Sequence, residues 1–281
     1  MTDGGSVRIE DVWFRYPSRA HALRGVSLVI EPGEFVALIG QNGSGKTTLA
    51  KHFNAILRPE RGRVLIDGDD IAAKDTADLA SVVGYCYQNP DHQIFASTVA
   101  EEIEFGPRNL RVAEEEVVRR TRRLLDVVRL RDQWSAYPFS LSRGERQKLA
   151  VASVLAIEPR ILIVDEPTTG LDWQGGEAMM ELMRVLNAEG RTVVIITHDM
   201  NIVAEFARRV VVMAGGQIVA DGGPRAVFRR DAELHAADLR APQAFRIAQR
   251  RPDLFGDPLT VAEARDALLA RVGPTAHEAA S

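Results

Sequence analysis

Two neighbouring stretches decide the fold of this 281-residue chain: SLSRGERQ at residues 140–147 and ILIVDEPTTGLD at residues 161–172. The first begins with a Ser/Gly turn and continues into a predicted helix over 142–156, because its apolar residues recur with helical spacing. The second is a continuous apolar strand that ends on two adjacent carboxylates. A helix N-terminus offers free backbone N–H groups to an anion, and carboxylates can hold a metal ion and orient water. Together the two stretches predict a phosphate site.

The chain on either side alternates predicted strands and helices. The apolar runs 161–164 and 193–196 are typical of buried parallel strands, and a helix over about 174–188 lies between them. A turn at Pro17-Ser18 is predicted to join the first two strands. Further strands are predicted at 7–16, 21–30, 35–39, 63–67 and 82–87, and a further helix at 48–57. The region 96–134 is predicted to be helical, with a solvated charged face formed by residues 114–116, 119 and 120. The pattern predicts an α/β fold with an antiparallel β layer at its start, a helical insertion and a helical extension beyond about residue 222.

Composition narrows the class of protein. Lys and Arg (35) nearly balance Asp and Glu (39), so the charge gives no sign of a nucleic-acid partner, and none is expected. The only cysteine, Cys86, is predicted to be a small packed residue. No apolar run approaches the ~20 residues that span a bilayer, and no signal peptide is visible at the N-terminus. Any role at a membrane is therefore expected to be peripheral.

The stretch GQNGSGKT at residues 40–47 matches the phosphate-loop pattern and lies between an apolar strand and a helix, as that motif requires. Its glycines let backbone N–H groups close around a β-phosphate. Lys46 supplies a positive charge to the β- and γ-phosphates, and the Thr47 hydroxyl can ligate Mg²⁺. We therefore predict that ATP, with Mg²⁺, binds at Gly40, Asn42, Gly43, Ser44, Gly45, Lys46, Thr47 and Thr48.

Three polar residues follow predicted strands of the same sheet. Asp165 ends the strand 161–164 and is predicted to hold Mg²⁺, through water, while Glu166 is the natural group to orient the attacking water. His198 follows the strand 192–197, at the sheet edge where such folds bind ligands. The alternatives are a solvent-facing pair of carboxylates and a structural histidine. With the phosphate loop present, we favour catalytic roles for Lys46, Glu166 and His198.

With these motifs in their observed order, residues 7–222 resemble an ABC-type ATPase. The resemblance implies that Tyr16 stacks on adenine and that Gln88 touches Mg²⁺ and couples the site to a membrane partner. It implies that Ser142, Arg143, Gly144 and Glu145 form the signature motif, which contacts the ATP held by a second subunit. It also implies that Asp172 crosses the dimer interface and that His198 senses the γ-phosphate. The ATPase domain is thus expected at 1–222, with its helical subdomain at about 89–157 and an extension at 223–281.

A narrower similarity involves residues 88–95 and 99–110, which resemble the ATPase subunits of energy-coupling-factor importers, among them cobalt and nickel uptake ATPases. The usual residue at His92 is Asn. The resemblance implies a peripheral protein at the cytoplasmic face of the cell membrane. Its partners would be a second ATPase subunit, identical or homologous, an integral membrane coupling protein and a substrate-binding membrane protein. The apolar side chains of Ile94, Phe95, Ile103 and Phe105 are predicted to form a groove for a partner helix.

The signature departs from the family pattern, in which two glycines and a glutamine follow the serine. Here Arg143, Gly144 and Glu145 occupy those positions. Arg143 either adds a cation near the γ-phosphate of the second subunit's ATP or points to solvent, and we favour solvent. At the level of function, the alternatives are the ATPase of another ABC transporter type and a soluble ABC protein acting on DNA or ribosomes. The transported substrate stays open among cobalt, nickel and vitamins.

Overall fold

The computed structural model describes residues 4–17 and 20–272, so Ser18 of the predicted turn lies outside the described residues. The strands are β1 Val7–Arg15, β2 His21–Ile30, β3 Phe35–Ile39, β4 Arg61–Ile66, β5 Asp69–Asp70, β6 Val83–Cys86, β7 Ile161–Asp165, β8 Thr192–Ile196, β9 Arg209–Ala214 and β10 Gln217–Gly222. The helices are α1 Lys46–Phe53, α2 Thr76–Leu79, α3 Val99–Asn109, α4 Glu114–Val127, α5 Arg143–Leu155, α6 Trp173–Ala188, α7 Met200–Phe206, α8 Pro224–Phe228, α9 Asp231–Ala236, α10 Gln243–Arg250, α11 Pro252–Phe255 and α12 Val261–Val272. The fold is α/β, as predicted.

A six-stranded sheet with the order β10-β9-β3-β8-β7-β6 forms the centre, and all neighbours except β10 and β9 are parallel. Every residue of β3, β7 and β8 is buried. Alternate residues face opposite cores: Ala37 and Ile39 pack with the helical side, whereas Val36 and Leu38 pack towards the N-terminal layer. Because both faces are covered, these strands are apolar apart from Asp165 and Thr192 at their ends, which explains why the sequence shows continuous apolar runs there.

The predicted antiparallel layer is a four-stranded sheet with the order β2-β1-β4-β5. In β2, the buried residues Val26, Leu28 and Ile30 alternate with more exposed ones, the pattern of a sheet with one covered face. Helix α1 packs between the two sheets through Leu49 and Phe53, which are fully buried. This position fixes the start of α1 directly under the end of β3.

The helical insertion differs from the single run predicted over 96–134. The helix α3 ends at Asn109, and Arg111 takes the left-handed conformation with φ 60°. The Val112 N–H then donates to the Pro107 carbonyl and closes the helix end before α4 begins. Glu114, Glu115 and Arg119 on the charged face of α4 are exposed, as predicted. Arg120 is instead largely covered and pairs with Glu158.

The C-terminal extension packs on the central sheet. Phe228 and Phe245 are fully buried, lie 5.7 Å apart between ring centroids and belong to the same core as Val210 and Val212 of β9. The extension therefore adds to the main core. Across residues 4–17 and 20–272, no helix has both the length and the apolar composition that crossing a bilayer requires.

Candidate functional site

The predicted phosphate loop lies between β3 and α1 and wraps the end of the strand. A Cβ atom added at Gly40 would lie 2.2 Å from the Met213 carbonyl oxygen, so only glycine allows this close approach to β9. The Lys46 ammonium reaches back across the loop and donates to the carbonyl oxygens of Gly40 at 2.7 Å and Gln41 at 2.9 Å. The loop therefore holds its lysine in a fixed position.

Lys46 is buried, with 8% of its surface exposed. Burial lowers the pKa of its ammonium, while the negative charges of Glu166 and Asp165 act in the opposite direction. A buried cation costs desolvation energy, which carboxylates or phosphates nearby offset. Lys46 is thus positioned to favour an anionic ligand at the loop.

Asp165 ends β7 and lies beside the start of α1. Its Oδ2 accepts hydrogen bonds from the Thr47 hydroxyl at 3.0 Å and from the Tyr85 hydroxyl at 3.2 Å. Burial raises the pKa of the Asp165 carboxyl, and these two hydrogen bonds lower it. The burial of Tyr85 and the charge of Asp165 raise the pKa of the Tyr85 phenol. Tyr85 was missed by sequence reasoning, although its place in a strand parallel to β7 puts it at the same sheet edge.

The hydroxyl of Thr47 and the carboxylate of Asp165 are the oxygen ligands that Mg²⁺ prefers. Within the described ranges, no three His, Cys, Asp or Glu side chains group closely enough to hold a metal ion by themselves. Phosphate oxygens and water would have to complete the coordination of Mg²⁺ here, which is how this ion commonly binds with nucleotides. The residues present fit such an ion.

Glu166 and His198 form a second pair at the same sheet edge. The His198 Nδ1 and the Glu166 Oε1 lie 2.7 Å apart, and Thr197 donates to the other carboxylate oxygen at 3.4 Å. Glu166 has φ 53°, a strained conformation for a non-glycine residue, and its backbone N–H donates to Ile196 of the neighbouring strand. The carboxylate is therefore held at a defined angle beside the phosphate loop.

Tyr16 lies at the other side of the loop, and its hydroxyl is 3.3 Å from the Thr48 hydroxyl. A cavity of about 420 Å³ opens here, lined by Tyr16, Ala20, His21, Ala22, Asn42, Gly43, Gly45, Lys46, Thr47 and Thr48. The structure therefore brings Tyr16, the loop and the residues at the ends of β7 and β8 together at one edge of the sheet. Gln88 follows β6 at this edge and is exposed. Its side chain makes no hydrogen bond to another described residue.

The segment that contains Gln88 is tied to α5. Gln93 accepts from the Tyr87 N–H at 3.2 Å and donates to the Ala150 carbonyl at 2.7 Å. Asp91 pairs with Arg146 at 2.7 Å. These anchors, which the sequence analysis missed, link the end of β6 to the helix that begins at the signature.

The signature residues lie at the start of α5. The Ser142 hydroxyl donates to Glu145 at 2.7 Å, and the Glu145 backbone N–H donates to the Ser142 hydroxyl oxygen at 3.3 Å. The Ser142 backbone N–H also donates to the Glu145 carboxylate, at 2.8 Å, and the two bonds that this carboxylate accepts from Ser142 are the main cause that lowers its pKa. Glu145 therefore places a carboxylate at the helix N-terminus. Gly144 is half-buried beside it.

Arg143 is exposed and lies across the loop at Gly170, where an added Cβ would be 3.0 Å from the arginine Cδ. Asp172 caps α6 by accepting from the Gly175 N–H at 2.7 Å. In the described part of the chain, no hydrogen bond or ion pair joins Ser142, Arg143, Glu145 or Asp172 to the phosphate loop. The signature group and the loop group are thus two separate clusters.

The prediction of an apolar groove was wrong for two of its four residues. Ile94 and Ile103 are buried in the main core, because they pack against the helices of the insertion. Phe95 and Phe105 are exposed, and their rings meet edge to face at 4.6 Å. An exposed aromatic pair therefore marks this surface.

The comparisons with known proteins agree with this geometry. The ABC transporter family profile matches residues 23–169. The chain is 47% identical over 249 residues to a putative ABC transporter ATP-binding protein of Caldanaerobacter subterraneus subsp. tengcongensis, covering 89% of this chain and 44% of that protein. It is 41% identical to the energy-coupling factor transporter ATP-binding protein EcfA of Methanocaldococcus jannaschii, covering 84% of this chain and 86% of EcfA.

Solved structures show the same fold. One is cbiO1 from Clostridium perfringens, described as part of the ABC transporter complex cbiONQ, with 34% identity, a TM-score of 0.73 and coverage of 88% of this chain and 96% of that one. Another is an ATP-binding cassette in a dimeric post-hydrolysis state bound to ADP and Pi. It has 30% identity and a TM-score of 0.71, and the match covers 77% of this chain and 98% of that one. The chain spans less than half the length of the Caldanaerobacter relative and of two Methanosarcina relatives.

Proposed function

This chain belongs to the ABC transporter family, and we propose that it is the ATPase subunit that energises an importer for a micronutrient, cobalt, nickel or a vitamin. It carries the ATP-binding and ATP-hydrolysing domain of that family. In the proposal this domain covers residues 1–222, with a helical subdomain at about 89–157, and residues 223–281 are an extension.

The proposed nucleotide site uses the loop cluster. Tyr16 stacks on adenine, while Gly40, Asn42, Gly43, Ser44, Gly45 and Thr48 surround the phosphates, and Lys46 contributes charge to them. Thr47 and Asp165, with Gln88 from the end of β6, would hold Mg²⁺, Asp165 through water. When bound, Mg²⁺ neutralises charge on the phosphates. The converging oxygen atoms of Thr47 and Asp165 support this assignment.

The observation that carries the proposal is the 2.7 Å contact between Glu166 and His198, next to Lys46. Glu166 is placed to orient a water for in-line attack on the γ-phosphate. His198 holds that carboxylate in position, and its ring is exposed. Lys46 stabilises charge on the phosphate oxygens. Catalysis then rests on positioning and electrostatic stabilisation, which dominate phosphoryl transfer.

The proposal includes a second ATPase subunit, identical or homologous. In the signature formed by Ser142, Arg143, Gly144 and Glu145, residues Ser142, Gly144 and Glu145 would face the ATP of that subunit and the Arg143 side chain would point to solvent. Asp172 would cross the interface. The separation of the signature cluster from the loop cluster supports this arrangement, as does the dimeric state named for a structural relative. ATP binding would close the dimer and hydrolysis would reopen it.

The importer assignment rests on the similarity to EcfA and to cbiO1. We infer that the chain lies at the cytoplasmic face of the cell membrane and works with an integral coupling protein and a substrate-binding membrane protein. The exposed Phe95 and Phe105 offer an apolar contact for the coupling protein. The anchors Gln93 and Asp91 would pass its movement to α5.

The catalytic assignment is tested by Glu166→Gln, which removes the carboxylate charge but keeps the side chain's size. We expect ATP turnover to fall about a hundredfold or more, because general-base catalysis contributes that much, while ATP binding is retained. Glu177→Gln, on exposed helix α6, is the matched control. Unchanged turnover in Glu166→Gln would refute the role of Glu166.

The importer assignment is tested by purification of the tagged chain from membranes. Recovery with a small polytopic membrane protein would support it, and Phe95→Ser with Phe105→Ser should reduce that recovery. Recovery with ribosomes or DNA would contradict it. Uptake of cobalt, nickel or a vitamin by cells with and without the chain would then identify the substrate.

A further inference from the structure

The C-terminal extension contains a cavity of about 540 Å³ that is distinct from the phosphate loop. Helix α9 contributes Asp231 and Leu234, the connection after it contributes Leu239 and Arg240, and α10 contributes Arg246 and Arg250. We call it the arginine cavity. Its volume lies within the range of ~300–1,000 Å³ that small-molecule sites occupy.

The arginines of this cavity differ from most others in the extension. Four arginines outside it form ion pairs: Arg225 with Glu263, Arg229 with Asp257, Arg251 with Asp253, and Arg265 with Asp266. By contrast, the side chains of Arg240, Arg246 and Arg250 make no hydrogen bond or ion pair with any residue that the structure describes. The positive charge of the extension is therefore uncompensated at the cavity.

The local sequence increases this charge. Arg246 and Arg250 are four residues apart on α10, so both project from one face, and like charges at this spacing destabilise a helix slightly. No acidic residue lies in α10 to offset them. Asp231 is the one carboxylate among the residues that line the cavity. Three guanidinium groups against one carboxylate leave a net positive cavity that an anion would neutralise.

The residues beneath the cavity are apolar and buried. Leu234 and Leu239 are buried, and the opposite face of α10 buries Phe245 in the main core. The three arginines, whose side chains are exposed, are therefore carried by elements that pack on the core. Planar guanidinium groups bind phosphate oxygens in a bidentate manner.

From this combination we propose that the arginine cavity binds a small phosphate-bearing molecule. The ligand would be bound by α9 and α10 together. Because both helices pack on the sheet through Leu234 and Phe245, binding would also stabilise the folded extension.

Pyrophosphate is the probe for this site, and the full chain carrying Lys46→Ala is the background, because that substitution weakens phosphate binding at the loop. Calorimetry should show saturable binding of pyrophosphate. Arg246→Gln should weaken it about tenfold, as expected when a charged hydrogen-bond donor is lost. Arg230→Gln, at an exposed arginine outside the cavity, is the charge-matched control and should change the affinity by less than about twofold.

Free phosphate-bearing molecules and lipid headgroups share this chemistry, so vesicles with phosphatidylglycerol form a second arm. Pyrophosphate binding that Arg246→Gln weakens and Arg230→Gln does not would support the proposal, with or without vesicle binding. No saturable binding, or equal weakening by both substitutions, would overturn it. Vesicle binding in the absence of pyrophosphate binding would also overturn it. The readout does not depend on ATP turnover, so it stands or falls separately from the proposed ATPase role.

Discussion

The phosphate-loop cluster and the signature cluster are built in opposite ways. In the first, partners are far apart in sequence: Thr47 bonds Asp165, and Glu166 bonds His198, across a buried sheet edge. In the second, Ser142 and Glu145 are three residues apart and bond each other at the surface. The first cluster is fixed by sheet topology, while the second is fixed by a single helix cap and faces solvent. The difference fits a composite site that combines the loop cluster of one chain with the signature cluster of another. Each chain then contributes one rigid half-site and one half-site that faces outward.

Ser142 and Glu145 form a capping box, in which each side chain accepts a hydrogen bond from the other residue's backbone N–H, and this adds a feature to the outward half. Its carboxylate occupies the helix N-terminus, where an anionic ligand would otherwise be favoured. In the proposed dimer, the γ-phosphate of the facing ATP would approach Glu145, so closure has an electrostatic cost that the loop cluster does not have.

The largest expected effect is on the rigid half. Lys46→Ala should weaken ATP binding about a hundredfold, because a buried, positioned cation is lost from the phosphate contacts. Lys74→Ala is the control, since Lys74 is part of an exposed ion pair with Asp69. Titration calorimetry measures both variants. Equal affinities in Lys46→Ala and the wild-type chain would show that the loop is not the nucleotide site.

A smaller effect of the opposite sign is expected on the outward half. Glu145→Gln keeps the hydrogen bond to the Ser142 N–H but removes the charge, so ATP-dependent association of two chains should tighten about fivefold. Sedimentation in the Glu166→Gln background, where ATP is not consumed, measures this association. Glu115→Gln on exposed α4 is the control. Weaker association in Glu145→Gln would mean that the carboxylate favours closure.

The smallest effect is expected at Arg143. Its side chain is exposed and lies across Gly170, so Arg143→Gly should change ATP turnover by no more than about twofold, as for other exposed charges. A loss of more than tenfold would instead favour the alternative, in which the guanidinium contacts the γ-phosphate of the facing subunit. Steady-state turnover at saturating ATP distinguishes the two.

The central strands and the phosphate loop were predictable because their signals are local. Continuous apolar runs locate β3, β7 and β8, and the glycine pattern locates the turn before α1. The break between α3 and α4 was not predicted, since it depends on one residue, Arg111, taking a left-handed conformation. The links made by Tyr85 and Gln93 were also missed. They depend on which strands and helices become neighbours, and single-sequence patterns do not contain that information.

Sequence patterns do not show which elements become neighbours, and this also explains the error at Ile94 and Ile103. Their spacing suits an apolar surface, but the helices of the insertion cover them and leave only Phe95 and Phe105 exposed. Periodicity shows that a face is apolar without showing what packs on it. The groove prediction failed at that step.

Mixing two inactive variants tests the central claim most directly, that one ATP site combines the loop of one chain with the signature of another. Lys46→Ala disables the loop half, and Ser142→Arg disables the signature half, so each variant alone should lack the ATP turnover of the wild-type chain. In a mixture, half of the dimers would hold one intact composite site, and turnover should return to about a quarter of the wild-type rate. A mixture as inactive as its components, or wild-type turnover by Ser142→Arg alone, would contradict the account.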